Sequence, residues 1–511
     1  TMTKGLTGLL AHRGVTVFRG CAALQNAHTV RVTPAEGETQ VSRSVEAGVF
    51  EPVETELAID ADDVVLATGS RPLALPGNPF AGALIDSTQA LELNTLPSSA
   101  VIIGAGAVAL EFASLWNAAG CEVTLLIRKD RVLSTWERRA SMTLTRELKR
   151  RGVNVIARTA VDRVDTGANL GATVHYRQGD SDEDRTAYGE VVLAAIGRVP
   201  NTDADWFRSS GLKLDERGYV TVDGYGRTNL DGVWALGDIT PGHALAHRAF
   251  EQGITIAEKI AGADPKPVLD DTVPQVVFSF PEAASVGLTL DQAKAREDVV
   301  EPKETAYPML SNARMLMSGE GGSMTVVSGA FANNPDMQVV LGVHIVSPIA
   351  SDLIAEAEQL VGNRVPLADA ARLIHPHPTF SETLGEALLK ADNNILKLDS
   401  AFDETVRLVD RPKGAYSVRQ TVEAMKLFDG RLIVQTMFLR GTLEGRQVDN
   451  TTEREVAAWL SLIEEIAPSG VMVYTIDRDT PADDLHKVSV EELRRIAERV
   501  ERLGIPCSVA G

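Results

Sequence analysis

The stretch from Ala100 to Ile127 narrows what this chain can fold into more than any other. Ala100–Ile103 is a short apolar run of the kind that makes a buried strand. Gly104-Ala105-Gly106-Ala107-Val108-Ala109 follows, and then a helix-period pattern running to about Ala119. Glu122–Ile127 is strand-like again. Strand, glycine turn, helix and strand within roughly thirty residues make a βαβ unit, so this part of the chain is α/β with a parallel sheet. Gly104 allows the sharp turn and Gly106 lets an anionic ligand approach the helix N-terminus, with Ala109 in the third small-residue position. The chemistry these residues serve is binding of a dinucleotide pyrophosphate. The alternative is a tight turn in an unrelated α/β protein.

The end of the second strand sorts nicotinamide nucleotides. An acidic residue there holds the ribose hydroxyls of NAD, whereas an arginine takes the 2′-phosphate of NADP. This chain reads Ile127-Arg128-Lys129-Asp130-Arg131, so either NAD or NADP is expected, with NADP favoured. Arg128 is the first candidate for the phosphate and Arg131 the second. The alternative is a solvated charged turn.

Composition sets the limits. With 511 residues, roughly three to five domains are expected. A hydrophobic content of 44% and a charged content of 23% describe a globular protein. The net charge of −20 argues against a nucleic-acid partner. No apolar run reaches the ~18 residues of a membrane span, so neither a membrane partner nor a membrane location is expected. The cysteines are Cys21, Cys121 and Cys507, too few and too scattered for a disulfide framework or a metal site. A reducing cytoplasm is the expected compartment.

Further motifs lie on both sides of the βαβ unit. Val15–Phe18, Thr29–Val32 and Asp63–Ala67 read as short strands, with Val64-Val65-Leu66 as a buried run, closed by Ala67-Thr68-Gly69-Ser70-Arg71-Pro72. Val191–Ile196 is a strand leading into Gly197-Arg198-Val199-Pro200-Asn201. Thr228 to Asp238 ends as Val233-Trp234-Ala235-Leu236-Gly237-Asp238, which puts one carboxylate at the carboxyl edge of a sheet. A helix begins at Ala246, where His247 reads as a packing residue. His375-Pro376-His377-Pro378-Thr379-Phe380-Ser381-Glu382 offers a histidine that a carboxylate can orient and charge-stabilise. His377 fits the spacing to Glu382, and His375 is the alternative.

Taken in order, these motifs resemble the pyridine nucleotide–disulfide oxidoreductases, and their dihydrolipoamide dehydrogenase branch most closely. The resemblance implies Rossmann-like FAD and NAD(P) domains followed by an α+β dimerisation domain, with FAD and NAD or NADP as cofactors. It makes Gly69, Gly237, Asp238 and Ala246 flavin-side residues. Gly197 then closes the nicotinamide domain, and Glu111 is the glutamate that reaches toward the flavin; the plain alternative for Glu111 is complementing its helix dipole. It also implies a homodimer in which His377 and Glu382 serve the partner's disulfide, and a small-molecule or lipoyl disulfide as substrate. The Cys-x4-Cys pair that such enzymes use is absent from these residues.

The expected division is 1–95, part of a flavin domain; 96–213, the NAD(P) domain; 214–266, a second flavin segment; and 267–392, the dimerisation domain. About a hundred residues of the flavin domain are expected ahead of Thr1. From 393 to 511 the resemblance changes. Strands at 394–399, 432–439, 471–477 and 505–510 alternate with helical patterns at 415–428, 452–466 and 489–503. Leu398-Asp399, Asp410-Arg411-Pro412, Gln435–Gly441 and Tyr474–Arg478 resemble half of a radical SAM barrel, without its three-cysteine cluster motif. Two truncated proteins joined near 392–394 are the expectation, or a fusion whose tail is an interaction module. The expected function is a flavin-dependent NAD(P)H:disulfide oxidoreductase that is incomplete as given. The alternative is a non-catalytic nucleotide-binding, dimerising remnant.

Overall fold

The computed structural model describes residues 2–167, 171–309, 312–392, 394–412, 416–430, 432–443, 445–476 and 484–510. The chain divides into two compact units. The first holds Thr1–Val299, Pro308–Thr325 and Val340–Val365; the second holds Val300–Tyr307, Val326–Val339 and Pro366–Gly511.

In the first unit, the strands Asn154–Ala157, Glu122–Ile127, Ser99–Ile103, Val191–Ala194 and Leu84–Ile85 lie side by side in that order, all parallel. Ala100, Val101, Ile102 and Leu125 are fully buried, as strands covered on both faces require. The chain leaves Ser99–Ile103 toward one side of the sheet and later returns on the other side at Val191–Ala194. That reversal is a topological switch point, where open α/β sheets place their ligand crevice. The helix Ala107–Ala118 packs Ala109, Leu110 and Ala113 onto the sheet. An antiparallel sheet of Thr159–Thr166, Ala172–Gln178 and Arg185–Gly189 is inserted before the return strand.

A separate parallel pair, Val64–Leu66 with Val233–Ala235, carries Thr68-Gly69 and Gly237-Asp238 at the same edge. Here Val65 is 43% exposed, so the expected buried run is buried only at Val64 and Leu66. The alternation is confined to Val64–Leu66, since Val233, Trp234 and Ala235 on the partner strand are all buried. The strand expected at Val15–Phe18 is shorter and shifted, Phe18–Arg19, and the helix Met2–His12 precedes it. Gln275–Val277 and Glu282–Gly287 pair antiparallel, and Glu282–Gly287 pairs in turn with residues 342–347.

In the second unit, the strands Ile395–Lys397, Ile433–Leu443, Gly470–Thr475 and Cys507–Ala510 are parallel and follow one another in chain order across the sheet. Val418–Lys426, Glu453–Ile466 and Val490–Glu501 are the connecting helices. Their apolar faces meet Val434, Phe438, Val471 and Val473 in one core. Parallel strands in sequential order with helical crossovers are how a (β/α) barrel sector is built. Two strands, Arg446–Asp449 and Leu485–Lys487, add antiparallel pairings that periodicity did not indicate. The helix Asp403–Val409 is likewise one that periodicity did not indicate. Asp477 and Arg478, singled out in the sequence, lie outside the described residues.

Candidate dinucleotide site and acid–base pair

Gly104 sits at the carboxyl end of Ser99–Ile103 with φ +145°. A Cβ there would collide with the Ala195 carbonyl oxygen and stand 3.3 Å from the Ala109 Cβ. Only glycine fits that position, and Ala109, fully buried, is the small residue that lets helix and strand approach. Gly106 is the N-cap of Ala107–Ala118 and has open space where a Cβ would be. A helix N-terminus thus faces a crevice of about 850 Å³. Its walls come from the Gly104 loop, from Ala194–Arg198 across the switch point, and from Thr159–Val161. Gly197, with φ +150°, lines it as well.

Arg128 and Lys129 line the same crevice. Arg131 does not. Its guanidinium closes its own turn, 3.1 Å from Asp130 Oδ1 and donating to the Ser134 carbonyl at 3.1 Å. Glu111 accepts a hydrogen bond from the Phe278 backbone N–H at 3.0 Å. It lies beyond the first helical turn, so capping that N–H, rather than complementing the dipole, is what its carboxylate does here. Sequence reading missed Trp136, Leu245 and Gln275, which also line the crevice. They reach it from separate segments, and no local signal marks them.

Gly69 and Gly237 both have φ +70°, which lets the two parallel strands turn at one edge. Asp238 follows Gly237, and its Oδ2 accepts a hydrogen bond from Ser70 Oγ at 2.5 Å. Ala246 opens the helix Ala246–Ile260, whose Ala249 Cβ is 3.4 Å from where a Gly237 Cβ would be. A carboxylate beside a glycine turn fits the hydroxylated chain of a flavin. His247 Nε2 is 2.7 Å from the Pro274 carbonyl, the packing role expected of it.

In the second unit, His377 Nδ1 donates to Glu382 Oε1 at 2.6 Å. The other carboxylate oxygen, Oε2, accepts from the Thr379 backbone N–H at 2.8 Å. Those two bonds, the Thr379 bond first, hold the Glu382 carboxyl below its ordinary pKa of 4.5. The carboxylate is 18% exposed and the imidazole 78%, so the ring is gripped at one nitrogen and presented at the other. His375 instead lies against the helix at Gly385, where a Cβ would meet its ring.

Cys21 is exposed; Cys121 and Cys507 have their thiols pushed up to about 11, mainly by burial. All three are free.

Residues 1–253 match the family described as pyridine nucleotide-disulphide oxidoreductase, and residues 273–388 match its dimerisation domain. A dihydrolipoyl dehydrogenase of Cupriavidus necator is 34% identical over 400 residues, covering 78% of each chain. This chain belongs to the pyridine nucleotide–disulfide oxidoreductase family. A dihydrolipoyl dehydrogenase of Geobacillus stearothermophilus is 35% identical over 392 residues, 76% of each chain. Among solved structures, LpdA from Mycobacterium tuberculosis aligns with a TM-score of 0.60 and 28% identity, over 74% of this chain and 76% of that one. Members of this family are oxidoreductases that use FAD and a nicotinamide nucleotide. No helix among the described residues is long and apolar enough to cross a membrane.

Proposed function

We propose that this chain binds a nicotinamide nucleotide, NADPH before NADH, in the Gly104–Arg198 crevice and flavin at the Asp238 edge, as a dihydrolipoamide dehydrogenase-like oxidoreductase. The observation that carries the reading is the helix N-terminus at Gly106, opening over a crevice walled by Arg128 and Lys129. Bound FAD would supply the two-electron acceptor between the nicotinamide and a disulfide. The chain's own residues do the rest. Gly104 and Gly106 admit the pyrophosphate, Arg128 takes the charge of a 2′-phosphate, and Asp238 holds a flavin hydroxyl. His377, with Nδ1 fixed by Glu382, can hold or move a proton at Nε2. In a homodimer formed through 267–392, that proton would serve a thiol of the second active site.

The domain division at 95, 213, 266 and 392 belongs to the same reading, as does a tail at 393–511 derived from part of a radical SAM barrel. One observation favours the second, non-catalytic reading for the isolated chain. No Cys-x4-Cys pair occurs among its residues, and two of its three thiols are held protonated by burial. The disulfide step therefore needs cysteines from outside these 511 residues.

The test is nucleotide selectivity. A charge-assisted contact from Arg128 to a 2′-phosphate is worth roughly 1.5–3 kcal/mol. Calorimetric titration should show NADPH binding more tightly than NADH, and Arg128→Glu should reverse the order. Equal affinity for both nucleotides before and after the substitution would sink the assignment.

A further inference from the structure

Asp238 and the nucleotide crevice are joined by a continuous chain of hydrogen bonds. Ser70 Oγ donates to Asp238 Oδ2, and the same oxygen accepts from Arg198 Nε at 2.7 Å. Arg198 Nη2 donates to the Ser70 carbonyl at 2.8 Å. Arg198 lines the crevice; Ser70 and Asp238 do not. The backbone beneath is fixed, because Ser70–Pro72 pairs antiparallel with Arg198–Pro200. Arg71 adds a two-pronged contact to Asp203, at 3.2 and 3.0 Å.

A guanidinium carries five N–H donors in a rigid plane. Two of them are committed to Ser70, so the plane cannot swing without breaking both bonds. The serine hydroxyl has one proton, and it is spent on the carboxylate. That fixes the oxygen's lone pairs toward Arg198 Nε. Among the described residues Arg198 Nη1 meets no acceptor, so that end of the fork is left for an anion.

We propose that Ser70 is a positioning residue through which the Asp238 carboxylate aims Arg198 at the nicotinamide dinucleotide. The inference rests on reading the crevice as the dinucleotide site. It makes nucleotide affinity depend on two residues that do not line the crevice. Because coupling free energies are reciprocal, whatever occupies the Asp238 edge changes nucleotide affinity, and the nucleotide changes affinity at that edge.

Trp136, on the crevice wall, gives a direct signal. Its fluorescence would be titrated with NADPH in the unaltered chain, Ser70→Ala, Ser70→Thr and Asp238→Asn, with an unfolding midpoint recorded for each. The expected result is a Kd roughly fivefold higher in Ser70→Ala and Asp238→Asn at unchanged midpoints, restored by the hydroxyl of Ser70→Thr. An unchanged Kd in both variants overturns the inference alone. No saturable signal in the unaltered chain overturns the crevice assignment and this inference with it. If Ser70→Ala fails to fold, the isosteric Asp238→Asn decides, since it keeps the shape while removing the charge and one acceptor oxygen.

Discussion

Two residues show how narrowly single positions are determined. Gly104 has a backbone conformation that side chains rarely adopt and a neighbour, the Ala195 carbonyl, where a Cβ would go. Gly104→Ala should destabilise the first unit by at least about 2 kcal/mol, through strain and the displaced strand end. Urea unfolding would measure it, and a loss below about 0.5 kcal/mol would mean the turn can relax around a methyl group. Glu382 titrates in the opposite sense to a buried acid. Its folded pKa is depressed, by the Thr379 N–H and then by His377. Its contribution is therefore present above the ordinary glutamate range and is lost as pH falls through the folded value. Glu382→Gln should lower stability at pH 7 and flatten the acid slope below about pH 4.5, so that the two proteins converge at lower pH. A profile with the same acid slope in both proteins would remove Glu382 from the account.

At the scale of elements, the second unit depends on a core that its helices share. Trp459 is fully buried, stacks edge-on against Phe438 with ring centroids 5.3 Å apart, and donates its indole N–H to the Leu398 carbonyl at 3.1 Å. Trp459→Ala should cost about 3–5 kcal/mol, read by denaturant unfolding. A cost near zero would show that the sheet and helices do not fold as one body. Elements of this kind were legible in the sequence because each has a period. Glu122–Ile127 and the start of the helix at Ala246 stand where the pattern put them, and the four parallel strands of the tail are all present. What sequence did not reveal depends on partners far along the chain. Arg446–Asp449 and Leu485–Lys487 are short strands defined only by pairing with Ile433–Leu443. Val65 sits on a strand with one open face, which an unbroken apolar triplet does not disclose. Glu111, Arg131 and Ser70 have roles set by the Phe278 N–H, the Ser134 carbonyl and Asp238, and no spacing rule reaches those contacts.

For the whole molecule, the family identity and the inventory of reactive groups point in different directions. The family transfers electrons between nicotinamide, flavin and a disulfide, and this chain keeps the crevice, the Asp238 edge and the His377–Glu382 pair. It has no closely spaced cysteine pair, and Cys121, buried in the core beside the helix Ala107–Ala118, is a small hydrophobe rather than a nucleophile. Nucleotide binding and disulfide turnover should therefore separate. The most direct measurement is lipoamide-dependent oxidation of NADPH and NADH by the purified chain supplied with FAD. The account predicts no rate above the enzyme-free control, with NADPH still bound. Sustained turnover that disappears in His377→Gln would contradict it.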